Sequence, residues 1–173
     1  MLRLTLLRHA KSSWDDPGLT DHERPLSKRG TRAATRIGRY IAKHQLTPDQ
    51  ILCSDAIRAR ATLSLVLAML DQPAPQTSVL ADLYLADPDT ILGTLRAHAG
   101  DAHHVMIIGH NPGLHALALS LTASSTGDHL AQLAMKYPTA ALAQFTFDCA
   151  EWAEVTPATG TLETYVTPRA LSD

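Results

Sequence analysis

The chain has 173 residues, of which 45% are apolar and 18% charged, enough to bury one sizeable core, and we predict a single domain over residues 1–173. The formal net charge is −2, with basic and acidic residues mixed along the chain, so we expect neither a nucleic-acid nor a membrane partner. No apolar run approaches the roughly 20 residues that span a bilayer, and no cleavage site follows the N-terminus, which predicts a cytoplasmic protein.

The N-terminal segment predicts a strand, a loop and a helix. Arg3–Leu7 is a short apolar run typical of a buried strand, and it stops at Arg8 and His9. The segment Lys11–Arg24 contains Asp, Pro and Gly, which favour a long loop. Ser27 is a good N-cap for a helix that ends before Thr47 and Pro48. The small or apolar positions at helical spacing are Gly30, Ala33, Ala34, Ile37 and Ile41.

The alternation of strand and helix continues in the next segment. Gln50–Cys53 is typical of a second buried strand, and a helix is expected to begin at Ser54 or Asp55 and to end before a Pro-Ala-Pro segment. This helix is predicted to run through Ile57, Ala61, Leu65 and Ala68. A short strand follows at Val79–Leu80.

The second half of the chain contains the strongest strand signal. Asp87 is the expected N-cap of a third helix, with a proline at its first position; its core residues are Ile91, Leu92, Leu95 and Ala99. His104–Ile108 is a strongly β-type run that breaks at Gly109–Gly113, before a helix that contains Leu114, Leu117, Ala118 and Leu121. Ala140–Phe147 is predicted to be a further strand, and the segment after Glu151 receives no assignment.

Strands that alternate with helices predict an α/β fold, a three-layer α/β/α sandwich with a largely parallel central sheet. Ligands of such sheets bind beyond the carboxyl ends of the strands. The two most polar strand exits are Arg8–His9 and Gly109–His110. We therefore expect both to open onto one end of the sheet.

These exits carry residues suited to phosphoryl transfer. A cation such as Arg8 disfavours protonation of the neighbouring His9, and a neutral imidazole is a competent nucleophile. Phosphoryl transfer without a metal requires several cationic or hydrogen-bonding groups around the phosphate, and Arg58 and His110 both follow strand exits. No metal-ligand spacing and no glycine-rich phosphate loop is present, so we expect no metal and no cofactor. Taken singly, an arginine near a helix start is usually a solvated charge, and a histidine after a strand is seldom functional.

The joint occurrence of four segments favours the functional interpretation. Leu7–Lys11, Arg24–Gly30, Ser54–Thr62 and Ile107–Leu114 together resemble, in order, the motifs of the histidine phosphatase superfamily. This is the phosphoglycerate-mutase-like fold, and its short SixA-type phosphohistidine phosphatases are the most similar branch. The resemblance spans roughly the first 120 residues.

The resemblance implies a role for each matching residue. His9 corresponds to the phosphorylated nucleophile, and Arg8 and Arg58 to the two phosphate-binding arginines. His110 matches the second histidine that contacts the phosphoryl group. Arg24 is implied to reach the same phosphate-binding pocket.

The sequence departs from the superfamily pattern at two points. Ala10 stands where the usual Arg-His-Gly tripeptide has glycine, a substitution that SixA-type members share. The larger branches also carry an acid that protonates the leaving group; the nearest counterpart is Asp82, for which an ordinary surface position is the simpler interpretation. A poor general acid favours a leaving group that needs little help, such as the imidazole of phosphohistidine.

We therefore predict a metal-independent phosphatase that forms a phosphohistidine intermediate on His9 and acts on phosphohistidine in a protein. Two alternatives remain open at this stage. One is a phosphatase of a small phosphorylated metabolite, and the other is a phosphate-binding module without turnover.

Overall fold

The computed structural model describes residues 1–171 and contains a seven-stranded sheet with five α-helices. The strands are β1 (Leu2–Arg8), β2 (Gln50–Ser54), β3 (Gln76–Leu80), β4 (His104–Gly109), β5 (Thr122–Ser125), β6 (Leu142–Phe147) and β7 (Gly160–Val166). The helices are α1 (Lys28–Lys43), α2 (Ile57–Leu67), α3 (Pro88–His98), α4 (Gly113–Leu121) and α5 (His129–Met135). None of these helices is long and apolar enough to cross a membrane.

The sheet is largely parallel, as predicted. Its strand order is β3-β2-β4-β1-β6-β7-β5. The four strands β3, β2, β4 and β1 run parallel to one another, and β5 is parallel to β7. Only β6 runs antiparallel to both of its neighbours.

Helices cover both faces of the sheet, which confirms the three-layer arrangement. Successive side chains of a strand point to opposite faces, so each central strand contributes to two cores. Leu6 and Ile107 pack with residues of α3, α4 and α5 on one face. Leu7 and Ile108 pack with residues of α1 and α2 on the other face.

Two predicted helix starts are confirmed because their signals are local. The Ser27 hydroxyl accepts a hydrogen bond from the Gly30 backbone N–H at 3.0 Å at the start of α1. The Asp87 carboxylate does the same for Thr90 at 2.7 Å at the start of α3. Each side chain satisfies a donor that the first helical turn leaves without an intrahelical partner.

Helix α2 begins two or three residues later than predicted, and it buries a face other than the one that carries Ile57, Ala61, Leu65 and Ala68. The helix begins at Ile57, whose side chain is 38% exposed, and its buried residues are Arg58, Ala59, Thr62, Leu63 and Val66. Polar contacts account for the difference, because Arg58 turns into a cleft and the Thr62 hydroxyl accepts a hydrogen bond from the Ala10 N–H at 3.0 Å. Apolar periodicity does not detect a helix face that is buried through polar side chains.

The C-terminal part differs most from expectation. Sequence reasoning missed β5, α5 and β7, and β6 begins at Leu142, two residues later than predicted. Ala140 lies before β6 in a left-handed conformation with φ 59°, which ends the extended run. The missed strands lie at one side of the sheet, and β5 is only partly buried, so alternation of apolar residues is weak there.

Strand register determines what meets at the carboxyl edge of the sheet. Arg8 of β1 is paired with Gly109 of β4, so His9 and His110 follow at the same level. Cys53 of β2 is paired with Ile108 of β4, which places the end of β2 beside them. The His9 backbone N–H also donates to the Gly109 carbonyl at 3.0 Å. This confirms that the two polar strand exits open onto one end of the sheet.

The segment after His9 is in close contact with α1 through Gly30. A Cβ at Gly30 would lie 2.0 Å from the Lys11 carbonyl oxygen, a distance that no real Cβ contact allows. The Ser27 N–H and hydroxyl both donate to the same carbonyl, at 2.9 and 3.1 Å. The absence of a side chain at Gly30 therefore allows the helix start to pack against the site-bearing segment.

We expect Gly30→Ala to lower the free energy of unfolding by about 1–3 kcal/mol, because a backbone carbonyl has no way to yield to the added methyl group. Gly93→Ala in α3 is the matched control, since nothing lies within 4 Å of its added Cβ. The control should gain up to about 1 kcal/mol from helix propensity. Urea denaturation measures both, and equal effects of the two substitutions would contradict the packing argument.

Candidate active site

A cleft of about 230 Å³ opens beyond the carboxyl ends of β1 and β4. Its lining residues are Arg8, His9, Lys11, Ser12, Trp14, Arg24, Arg58, Leu85, His110, Asn111 and Thr139. Four of them are arginine or lysine, and none is aspartate or glutamate. The cleft is therefore suited to an anion.

His9 is held in one tautomer, with its lone pair on Nε2. Its side chain is buried, at 6% exposed, and Nδ1 lies 2.7 Å from the Ala10 carbonyl oxygen. A carbonyl only accepts, so Nδ1 carries the proton and Nε2 carries the lone pair. Arg58 Nε donates to that Nε2 at 3.3 Å. The unprotonated ring nitrogen thus faces a guanidinium group.

Ala10 fits its position without a left-handed turn. It is not among the residues of the described chain with positive φ, so its Cβ causes no backbone strain. Its side chain is fully buried against Ala34 and Ala140. The departure from glycine at this position is accommodated because the backbone of Ala10 does not have a positive φ.

Arg8 extends from the end of β1 toward the same cleft. Its Nη1 donates to the Tyr137 carbonyl at 2.9 Å, and the Asn111 side-chain amide donates to the same oxygen at 2.9 Å. The buried Nε–H of Arg8 has no hydrogen-bond partner within residues 1–171. Because an unpaired buried donor costs free energy, this N–H is suited to an anionic oxygen in the cleft.

Arg58 lies between the two histidines and is only 2% exposed. Its Nη2 lies 3.3 Å from His110 Nδ1, which must accept because a guanidinium only donates. His110 therefore carries its proton on Nε2, which donates to the Ser54 hydroxyl at 2.7 Å. The His9 and His110 ring centroids are 5.0 Å apart.

Asp21 holds these cations together and was missed by sequence reasoning. One carboxylate oxygen accepts from Arg58 Nη2 at 3.0 Å and from the Tyr84 hydroxyl. The other oxygen accepts from Arg24 Nη2 at 2.9 Å. The Tyr84 hydrogen bond is the main cause that holds the pKa of Asp21 well below its usual range, with Arg24 and Arg58 adding to it. Asp21 therefore acts as a fixed negative charge.

Arg24 lies at the rim of the cleft. Its side chain is 7% exposed, its Nη1 donates to the Ser12 hydroxyl, and its guanidinium lies 3.6 Å from the ring centroid of Trp14. Asp82, in contrast, is an exposed residue of the short 3-10 turn Ala81–Leu83. It does not line the cleft, whereas its near neighbour Tyr84 contacts the site through Asp21. The structure thus brings five of the six predicted residues together and leaves out Asp82.

Burial is the main cause of the neutral state of both histidines. It lowers the pKa of His9 to about 4, with smaller contributions from Arg58 and Arg8. It also lowers the pKa of His110 to about 3, followed by the effects of His9 and Arg58. For His9 the sequence predicts Arg8 as the cause, whereas desolvation of the ring lowers the pKa more.

Comparison with known proteins agrees with this geometry. A sequence model of the histidine phosphatase superfamily (branch 1) matches residues 4–88. An uncharacterised protein from Mycobacterium leprae is 36% identical over 141 residues, which cover 79% of this chain and 84% of that protein. The chain belongs to the histidine phosphatase superfamily. The segment that the superfamily model matches begins within β1, contains His9 and Arg58, and ends at the start of α3.

Solved structures of superfamily members resemble this histidine phosphatase over nearly its whole length. A SixA protein from Nakamurella multipartitia, named as a candidate phosphohistidine phosphatase, superposes with a TM-score of 0.82 at 28% identity and covers 96% of each chain. A second SixA protein, from Agrobacterium tumefaciens and named in the same way, has a TM-score of 0.78 at 28% identity, covering 96% of this chain and 98% of that one. The superfamily match and these neighbours identify the fold as phosphoglycerate-mutase-like and the protein as a phosphatase.

The buried histidines of the phosphatase make its stability depend on pH. The pKa of His104, which is buried outside the cleft beside Thr5, is also lowered by burial to about 4. An ordinary histidine has a pKa near 6.5. As the pH falls below about 6.5, the unfolded chain therefore takes up protons that the native state does not, and stability is lost.

We expect the free energy of unfolding to fall by about 1 kcal/mol for each of these three histidines between pH 7.5 and 5.5. His9→Asn should reduce this loss by about one third, because it removes one of the three groups. His98→Gln, at an exposed position, is the control. Urea unfolding at several pH values measures the slope, and an unchanged slope in His9→Asn would contradict the assignment.

Proposed function

We propose that this phosphatase hydrolyses phosphohistidine in a protein substrate through a phosphohistidine intermediate on His9. The observation that carries the proposal is the His9 Nε2 lone pair, which faces Arg58 inside a cleft that has four cationic side chains and no carboxylate in its lining. The names of the SixA neighbours support the same substrate class.

The first step transfers the phosphoryl group from the substrate nitrogen to His9 Nε2. The new P–N bond forms as the substrate P–N bond breaks, and the leaving imidazole takes up a proton near neutral pH. Arg8 and Arg58 hold the phosphoryl oxygens, with Arg24 at the rim, and neutralise the charge that develops in the transition state. The Arg58 Nε–H turns from the His9 lone pair to a phosphoryl oxygen, and His110 contacts the phosphoryl group when its Nε2–H turns from the Ser54 hydroxyl. The Ala10 carbonyl accepts the Nδ1–H and stabilises the positive charge that develops on His9.

The second step is attack by water on the phosphorus of phosphorylated His9. The P–N bond breaks, inorganic phosphate forms, and His9 returns to its neutral state with the proton on Nδ1. The low pKa that burial imposes on the free ring favours this departure, because neutral imidazole is the stable form in the cleft.

The absence of a carboxylic acid from the cleft lining supports a phosphoramidate substrate. Asp21 contacts Arg58, but its lowered pKa makes it a poor acid near neutral pH. The Tyr84 hydroxyl already donates to Asp21. An alkoxide leaving group therefore finds no carboxylic acid in the described lining of the cleft, whereas imidazole needs none because it is protonated near neutral pH.

We expect His9→Ala to abolish turnover while the fold persists, because the imidazole is the nucleophile and not part of either large core. Steady-state hydrolysis, together with capture of an acid-labile, base-stable phosphoenzyme after a rapid quench, tests this. His98→Ala is the control and should keep both signals. Activity of His9→Ala within tenfold of the wild type would remove His9 from this role.

We expect a higher kcat/KM for a phosphohistidine peptide than for a phosphoserine peptide of otherwise identical sequence. Asp82→Asn should change both values by less than about twofold, since Asp82 lies outside the cleft. Competition assays with wild type and variant measure both ratios. A preference for phosphoserine with a large, selective loss in Asp82→Asn would make the protein a phosphomonoesterase with Asp82 as its acid.

A further inference from the structure

Helix α1 carries a continuous row of cations on its outer side, which we call the α1 stripe. Its members are Lys28, Arg29, Arg32, Arg36, Arg39 and Lys43. At 3.6 residues per turn, their spacing places all six within roughly one third of the helix circumference. The buried residues of α1, such as Ala34, Ile37 and Ile41, lie on the opposite side.

The acids of residues 1–171 form no ion pair with the five exposed members of the stripe. Residues 24–48 contain seven of the 15 lysines and arginines of the chain and no aspartate or glutamate. Every stripe member except Arg36 is exposed, and Arg36 donates to the Pro168 carbonyl at 3.2 Å. The sequence-based expectation that basic and acidic residues are mixed along the chain is therefore wrong for this helix.

This arrangement opposes helix stability. Arg32 follows Lys28 by four residues and Arg29 by three, and Lys43 follows Arg39 by four. Like charges at these spacings repel one another and destabilise a helix. A solvated helix surface is normally stabilised by pairs of opposite charge. Five exposed cations without an ion pair to any carboxylate of residues 1–171 therefore indicate a surface that meets a negative partner.

The stripe is continuous with the cleft that contains His9. Lys11 and Thr139 line both that cleft and an adjoining groove, in which Arg29 is joined by Lys136 and Arg169. A second groove, of about 420 Å³, lies beyond the first and is lined by residues of α1 and of the C-terminal segment. Its lining residues are Arg36, Arg39, Tyr40, Lys43, His44, Ala170 and Leu171. Positive charge thus extends from the phosphate site along the length of α1.

We propose that the α1 stripe is a docking surface for an acidic protein segment, the one that presents its phosphohistidine to His9. The proposal rests on the function proposed above and names the chemistry of the partner. The 16 residues of α1 extend over about 24 Å, a length that an extended segment of roughly eight residues covers. A small metabolite would contact only the cleft.

The remaining features of α1 favour a protein over other polyanions. A helix that binds a bilayer surface inserts an apolar face, but the apolar face of α1 is buried in the core against β1 and β4. The formal net charge of −2 opposes general attraction to nucleic acid. An acidic protein segment that carries the reacting phosphate needs no exposed apolar face on α1. It also needs only the local positive charge of the stripe and not a positive net charge of the protein.

The test uses two synthetic peptides that each carry one phosphohistidine followed by an eight-residue arm, of glutamates in one and of glutamines in the other. A second pair carries the arm before the phosphohistidine, so that both chain directions are covered. The full-length protein is compared with Arg32→Gln/Arg39→Gln. The matched control, Arg3→Gln/Arg60→Gln, removes two exposed charges at the far end of β1 and on α2.

For at least one arm direction, we expect the wild type to show about a tenfold higher kcat/KM on the glutamate-armed peptide at low salt. The stripe variant should lose most of this preference, keep its activity on the glutamine-armed peptide, and unfold at no lower temperature because like charges have been removed. Added salt should reduce the wild-type preference in the same way. The control variant should behave as the wild type.

Equal activity of the wild type on both arms, or an equal loss on both in the stripe variant, would overturn the docking surface alone. Failure of the wild type to hydrolyse even the glutamine-armed peptide, with turnover of p-nitrophenyl phosphate, would refute the proposed function and with it the docking surface. Binding of duplex DNA or of phosphatidylserine vesicles that the stripe variant loses, without any effect on the peptides, would assign the stripe to those partners instead.

Discussion

The parallel pairing of β1 with β4 is the constraint on which the site depends. Because Arg8 is in register with Gly109, the two strands end at the same level, and each chain then turns into the cleft with a histidine. The pairing of β2 with β4 adds Ser54, whose hydroxyl accepts a hydrogen bond from the His110 Nε2–H. A shift of one residue in either register would separate the rings and exchange the faces of the strand residues.

Concentrating cations in a buried cleft requires compensation from within the protein. Arg58 is almost fully buried, and an uncompensated charge in that position would be costly. The Asp21 carboxylate and backbone carbonyl both accept from its guanidinium, while the same carboxylate also pairs with Arg24. Asp21 thus orients two arginines at once from outside the cleft, whose lining contains no aspartate or glutamate.

Burial has a chemical consequence as well as a structural one. The desolvation that makes His9 and His110 poor bases also keeps the His9 lone pair available at neutral pH. The Ala10 carbonyl selects which nitrogen carries it. A site of this kind relies on fixed charge and on a good leaving group more than on proton transfer, which agrees with a cleft lining that contains no carboxylate.

Local signals in the sequence determined the strands around Arg8 and Gly109, the caps at Ser27 and Asp87, and the motif residues His9, Arg58 and His110. These depend on neighbours within a few positions or on short motifs. Tertiary structure alone decided the roles of Asp21 and Tyr84, which lie 63 residues apart in the chain, and the face that α2 buries. It also placed the α1 stripe beside the cleft, through the contact of Gly30 with Lys11. Hydrogen bonds and charge contacts between distant segments leave no periodic trace in the sequence, so they become visible only once the chain has folded.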